Sequence, residues 1–80
     1  MPPLQFLHGS LVAVKLEQFD RFPTDDLIHS LAPGQPGCLK TRPDGTILDG
    51  HHRIEILRRR GVAVDDLPRD IIKHEDPEGR

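Results

Sequence analysis

The chain has 80 residues, 35% of them hydrophobic, with three Phe, neither Trp nor Tyr, and a formal net charge of −2. A chain this short forms one domain and buries only about 60% of its unfolded surface, which argues for a small aliphatic core and a surface cleft rather than a large enclosed active-site cavity. The slight acidic balance argues against sequence-independent coating of DNA, which needs a basic surplus.

In chain order, Met1 to Ser10 contains Pro2-Pro3 and Gly9-Ser10 and reads as an irregular lead-in. Leu11 to Val14, running on towards Leu16, is rich in apolar β-formers and is expected to form a first strand. Pro23-Thr24-Asp25-Asp26 starts a helix: Thr24 can cap it, and two aspartates favour its positive end. Leu27, Ile28 and Leu31 then share a face before Pro33-Gly34 closes the helix. Gly34 to Gly37 is a loop. Cys38 to Arg42 and Thr46 to Leu48 flank Pro43-Asp44-Gly45, which is hairpin chemistry. A helix from His51 to Arg60 ends at Gly61, Asp65 to Pro68 forms a solvated connector, Asp70 to Lys73 a last strand, and His74 to Arg80 a polar tail. Cys38 is the only cysteine, so no internal disulfide forms and a reducing compartment suits the chain. No apolar run approaches the roughly 18 residues of a membrane span and no leader peptide opens the sequence, so a cytoplasmic location and no membrane partner are expected.

The most informative stretch is Asp44-Gly45-Thr46-Ile47-Leu48-Asp49-Gly50-His51-His52-Arg53. A strand that turns through glycine into a helix leaves the first helical N–H groups unpaired, and such a terminus attracts anions. The same turn carries a carboxylate, two imidazoles and a guanidinium, which together suggest a phosphate site. On the helix, Ile54 and Leu57 lie close together, and Arg53 falls between Leu57 and Ile56 on the side facing the protein body. A guanidinium there needs partners for its fixed fork of donors: a carboxylate such as Asp49, an incoming phosphate, or each in turn. His51 and His52 diverge by about 100° and cannot ligate one metal from regular helix geometry, while His8, His29 and His74 are isolated, so no zinc site is expected. Arg58-Arg59-Arg60 suggests a nucleic-acid patch, but basic residues in a last helical turn are favoured by the helix dipole in any case.

The decapeptide from Asp44 to Arg53, followed by Ile54-Glu55-Ile56-Leu57 and Gly61, resembles the core of the ParB/sulfiredoxin superfamily. The resemblance covers residues 11 to 73 and implies a small single-domain α+β fold, a short mixed sheet with two helices. Residues 1 to 10 and 74 to 80 then flank it. Partition proteins of the superfamily carry Gly-Glu-Arg-Arg at the turn and hold CTP; here Gly50 and Arg53 agree. Sulfiredoxin carries Gly-Cys-His-Arg; here Gly50, His52 and Arg53 agree and His51 stands at the cysteine position. The archaeal free serine kinases share the Asp-Gly-His-His-Arg turn.

The resemblance implies a nucleotide or other phosphorylated ligand, ATP, ADP or CTP with magnesium, held by Gly50, His51, His52 and Arg53 and flanked by Lys40 and Arg42. It also implies phosphotransferase activity, or the nuclease-type activity attributed to ParB-like domains. Asp49 would hold magnesium or accept a hydroxyl proton, His52 would donate a hydrogen bond or proton to a phosphate oxygen, and Glu17 or Asp20 would add a second carboxylate. The competing expectation is a non-catalytic regulatory module that docks DNA or a protein through Arg58 to Arg60, with Asp49 and Arg53 paired for structure alone. A homodimer is compatible with either.

Overall fold

The computed structural model describes residues 3–6 and 11–73. The expected polar tail and most of the lead-in lie outside these. Among the described residues are three α-helices and a three-stranded mixed sheet, an α+β fold. In chain order these are α1 (Ala13–Phe19), α2 (Thr24–Leu31), β1 (Lys40–Thr41), β2 (Ile47–Asp49), α3 (His51–Arg59), a 3-10 turn (Val64–Asp66) and β3 (Asp70–Ile71).

β1 lies at the centre of the sheet, antiparallel to β2 and parallel to β3. Lys40 pairs with Asp49 and Thr41 with Ile47, so the register slips at Leu48, and Thr41 also pairs with Ile71. Such a slip bends a strand and re-aims its end; here the strand end is Asp49. The hairpin closes as its turn residues require. Asp44 Oδ1 accepts the Thr46 amide at 2.9 Å, and that bond holds the Asp44 carboxyl below its ordinary range.

The opening strand expected over 11–16 is a helix instead. Val12 is extended (φ −122°, ψ 125°) and α1 begins at the next residue. Leu16 and Phe19 explain the choice. Three residues apart, they share one face of a helix but would point to opposite faces of a strand, and both pack against the core cluster. The open side of the hairpin is also already taken. Gln5 forms a parallel bridge to Thr46, its amide donating to Gly45 O at 3.0 Å and its carbonyl accepting from Ile47 at 2.8 Å. This part of the lead-in is therefore sheet-bound, with Leu4 buried in the core.

α2 follows expectation except at its cap. Pro23 takes the cap position, and Thr24, the first helical residue, accepts a hydrogen bond from Arg60 at 3.0 Å. The core gathers Leu4, Leu27, Leu31, Leu39, Ile47, Ile54, Ile56, Leu57 and Val64. α3 supplies its centre through Ile54, Ile56 and Leu57. The helix ends in a Schellman motif: Gly61, at φ +85°, donates to Arg58 O at 3.0 Å and Val62 to Leu57 O at 3.0 Å. Asp65 is no simple solvated loop residue, since its carboxylate accepts the Leu4 amide at 2.9 Å. Among the described residues no helix is long and apolar enough to cross a membrane.

Candidate functional site

The turn from β2 into α3 is built around Gly50, whose φ of +104° is strained for any side chain. A Cβ there would also sit 3.0 Å from Leu31 Cδ2 and 3.5 Å from Leu39 Cδ1, so the turn is pressed directly onto the core. Ile54 is the first amide of α3 to bond back, to Gly50 O at 3.0 Å. The amides of His51, His52 and Arg53 form the first turn, which has no intrahelical acceptors.

This first turn opens into a cleft of about 310 Å³ between α3 and α1, lined by Lys15, Gln18, Phe19, Asp49, Gly50, His51, His52 and Arg53. The structure thus brings five expected residues, Asp49 to Arg53, into one site. It adds Lys15, hidden in sequence because residues 11–16 read as a strand, and Gln18 and Phe19, which lie beyond that strand where no element is expected. Lys40 sits beside the site, its Nζ 3.8 Å from Asp49 Oδ2. Arg42 is not among the cleft residues; it lies at the hairpin turn and interacts with Asp44.

Arg53 is largely an internal strut. Its side chain is 11% exposed, and Nη1 donates to Ser30 O at 3.2 Å and Ser30 Oγ at 3.1 Å. Nη2 donates to the Gly37 carbonyl and lies 4.0 Å from Asp49 Oδ1. Burial pulls the guanidinium down from its ordinary range, opposed by Asp49 and Cys38. Arg53 thereby ties α2 and the following loop to the base of the turn. The cation on the opposite wall is Lys15.

His52 is committed as well. Its Nε2 accepts the Val12 amide at 2.9 Å, so the ring is neutral with its proton on Nδ1. It stacks on Phe19 with centroids 6.4 Å apart. Burial lowers its pKa, and the nearby charges of Lys15 and His51 lower it further. Only Nδ1–H remains to meet a ligand, which narrows the expected proton-donor role. His51 Nε2 is buried without a hydrogen-bond partner among the described residues, and its ring lies 6.2 Å from that of Phe6. Burial lowers its pKa too, opposed by the Ile47 carbonyl and Asp49.

The chain matches no family model, no curated protein and no solved structure. The resemblance to the ParB/sulfiredoxin superfamily accordingly rests on the Asp44 to Arg53 stretch and on the elements after it, since the opening strand it implies is α1.

The second carboxylate expected from Glu17 or Asp20 does not join the site. Both line a different groove, with Leu16, Ile56 and Arg59, and Asp20 binds Arg60 at 3.2 Å. Among the described residues no group of three or more His, Cys, Asp or Glu could hold a metal. Asp49 offers one carboxylate, 47% exposed, enough only for magnesium carried largely by phosphate oxygens.

The three consecutive arginines do not form one patch. Arg58 lies over the Phe6 ring at 5.0 Å, and Arg59 pairs with Glu55 at 2.7 Å. Arg60 reaches across to Thr24 and to Asp20, whose carbonyl it meets at 2.9 Å.

Proposed function

We propose that the chain binds a phosphorylated ligand, a nucleotide above all, in the cleft between α1 and the first turn of α3, as a ParB/sulfiredoxin-like domain would. The observation that carries this reading is that the first-turn amides of α3, which have no backbone acceptor among the described residues, and Lys15 line one cleft of about 310 Å³. Amides at a helix N-terminus and an ammonium each favour an oxyanion, and a ligand in this cleft would lie between them. Gly50 lets the turn take its positive φ and press onto the core, and Arg53 holds the turn rigid while adding positive charge beneath it.

Magnesium would arrive on the phosphates, with Asp49 as its protein carboxylate. Phosphoryl transfer or phosphodiester hydrolysis would need Asp49 to leave Lys40 and Arg53, and His52 to offer Nδ1–H. Phosphate release by the wild type, Asp49→Asn and His52→Ala tests that extension, and equal rates in all three exclude it. A nucleotide ligand and a free buried Cys38 both suit the cytoplasm. Docking of DNA or protein through Arg58 to Arg60 is the weaker reading, because each of these guanidiniums already has an intramolecular partner.

A thermal-shift series with ATP, ADP, CTP and GTP, each with magnesium, tests binding. A ligand at about 100 times its dissociation constant adds about 2.7 kcal/mol. Lys15→Ala should abolish the shift and Arg59→Ala should preserve it. No shift with any of the four nucleotides would refute the proposal.

A further inference from the structure

A second cavity, of about 270 Å³, adjoins the phosphate cleft and shares Phe19 and Arg53 with it; Phe22, Asp26, Leu27 and Ser30 complete its walls. Its character differs from its neighbour's. Phe19 and Phe22 form an aromatic corner, with ring centroids 6.2 Å apart and tilted by 42°. Phe22 is 49% exposed, an uncovered aromatic face in a chain with only three Phe. Leu27 closes the floor. Of the three polar side chains that line this apolar space, Arg53 is committed to Ser30, the Gly37 carbonyl and Asp49, and the other two differ in availability. Ser30 is used up, its hydroxyl donating to Leu27 O at 2.8 Å and accepting from Arg53 at 3.1 Å. Asp26 has no ion pair or side-chain hydrogen bond among the described residues.

We propose that this cavity is a base pocket, that one nucleotide spans both cavities, and that Asp26 makes the pocket prefer guanine. The inference rests on the phosphate reading of the first cleft and adds to it the identity of the ligand's other end. A flat ring stacks on Phe22 or Phe19, as bases do on aromatic side chains without regard to sequence. Discrimination then comes from Asp26, whose carboxylate only accepts hydrogen bonds. Guanine presents two adjacent donors, its ring N1–H and exocyclic amino group, which match the two carboxylate oxygens. Adenine and cytosine present one amino group beside a ring nitrogen that also accepts, so one carboxylate oxygen would face a lone pair. Uracil has a single N–H flanked by two carbonyls and fits worst.

Equilibrium binding of GTP, ATP, CTP, UTP and inorganic triphosphate to the full chain tests this. GTP should bind at least about tenfold more tightly than UTP, the scale of one bidentate contact. Asp26→Asn, at an exposed position, should shrink that preference to within about twofold, because the paired acceptor is gone. It should leave triphosphate affinity unchanged. Phe22→Ala should weaken all four nucleotides while sparing triphosphate. Triphosphate binding as tight as every nucleotide, or a guanine preference that survives Asp26→Asn, would overturn the base pocket and leave the phosphate site standing. Binding of none of the five would overturn both.

Discussion

α1 and α3 face each other across one cleft, yet α3 buries Ile54, Ile56 and Leu57 whereas no residue of α1 is buried. α3 is fixed by the core, by the pressed turn at Gly50 and by its Schellman end. α1 is held by the partial packing of Leu16 and Phe19, by the Val12 amide on His52 and by Asp20 on Arg60. The amides that would bind phosphate therefore sit on the rigid wall. Lys15 and Phe19, which would close on the ligand and its base, sit on the compliant one. Local opening of weakly packed elements is the ordinary way such walls admit ligands.

The largest expected effect is in the core. Leu57→Ala should cost about 2–5 kcal/mol in urea unfolding, the usual range for a buried leucine, and Leu16→Ala on α1 about 1 kcal/mol or less. Similar losses at the two positions would break the contrast between the walls. Gly50→Ala follows, at about 1–3 kcal/mol, because it combines positive φ with a Cβ against Leu31.

Arg60→Ala should cost only about 1 kcal/mol globally. Hydrogen exchange gives the sharper readout: α1 amides should exchange faster in this variant while α3 amides stay protected. Faster exchange spread evenly over both helices would mean that α1 is not a separate unit.

The smallest effect depends on pH. His51 and His52 both titrate below the ordinary 6.5 because burial disfavours the charged ring. The unfolded chain then binds protons more readily, so stability from these groups is present above about 6.5 and is lost as pH falls through the lowered folded values. Protonated His52 can no longer accept the Val12 amide. His52→Gln keeps an acceptor without titrating, so its melting temperature should fall less than the wild type's between about pH 7.5 and about pH 5. An identical fall in both proteins would remove His52 from the account.

Most of the fold was legible where local signals agreed. Ile54 and Leu57 with Gly61 announce α3, Pro23 with Asp25 and Asp26 announces α2, and Pro43-Asp44-Gly45 announces the hairpin. α1 was not legible, because Leu11 to Val14 favour a strand locally while the helix is decided by distant packing of Leu16 and Phe19 beside α3. That misreading hid Lys15 from the site, and Gln18 and Phe19 fell in the stretch beyond it, where no local signal marks a helix. Arg53 was legible as a near-buried cation at the turn, and Asp49 stands beside it as expected. Its main partners, Ser30 and the Gly37 carbonyl, are far away in sequence and carry no local signature. Leu4 was hidden for the same reason: its place in the core depends on Gln5 finding Thr46.

The central claim, that the first turn of α3 and Lys15 hold an oxyanion, is tested most directly by amide chemical shifts of the 15N-labelled chain during titration with inorganic triphosphate. Saturable shifts are expected, largest at His51, His52 and Arg53 and lost in Lys15→Ala. Shifts centred instead on Arg58 to Arg60, or none at the turn, would contradict it.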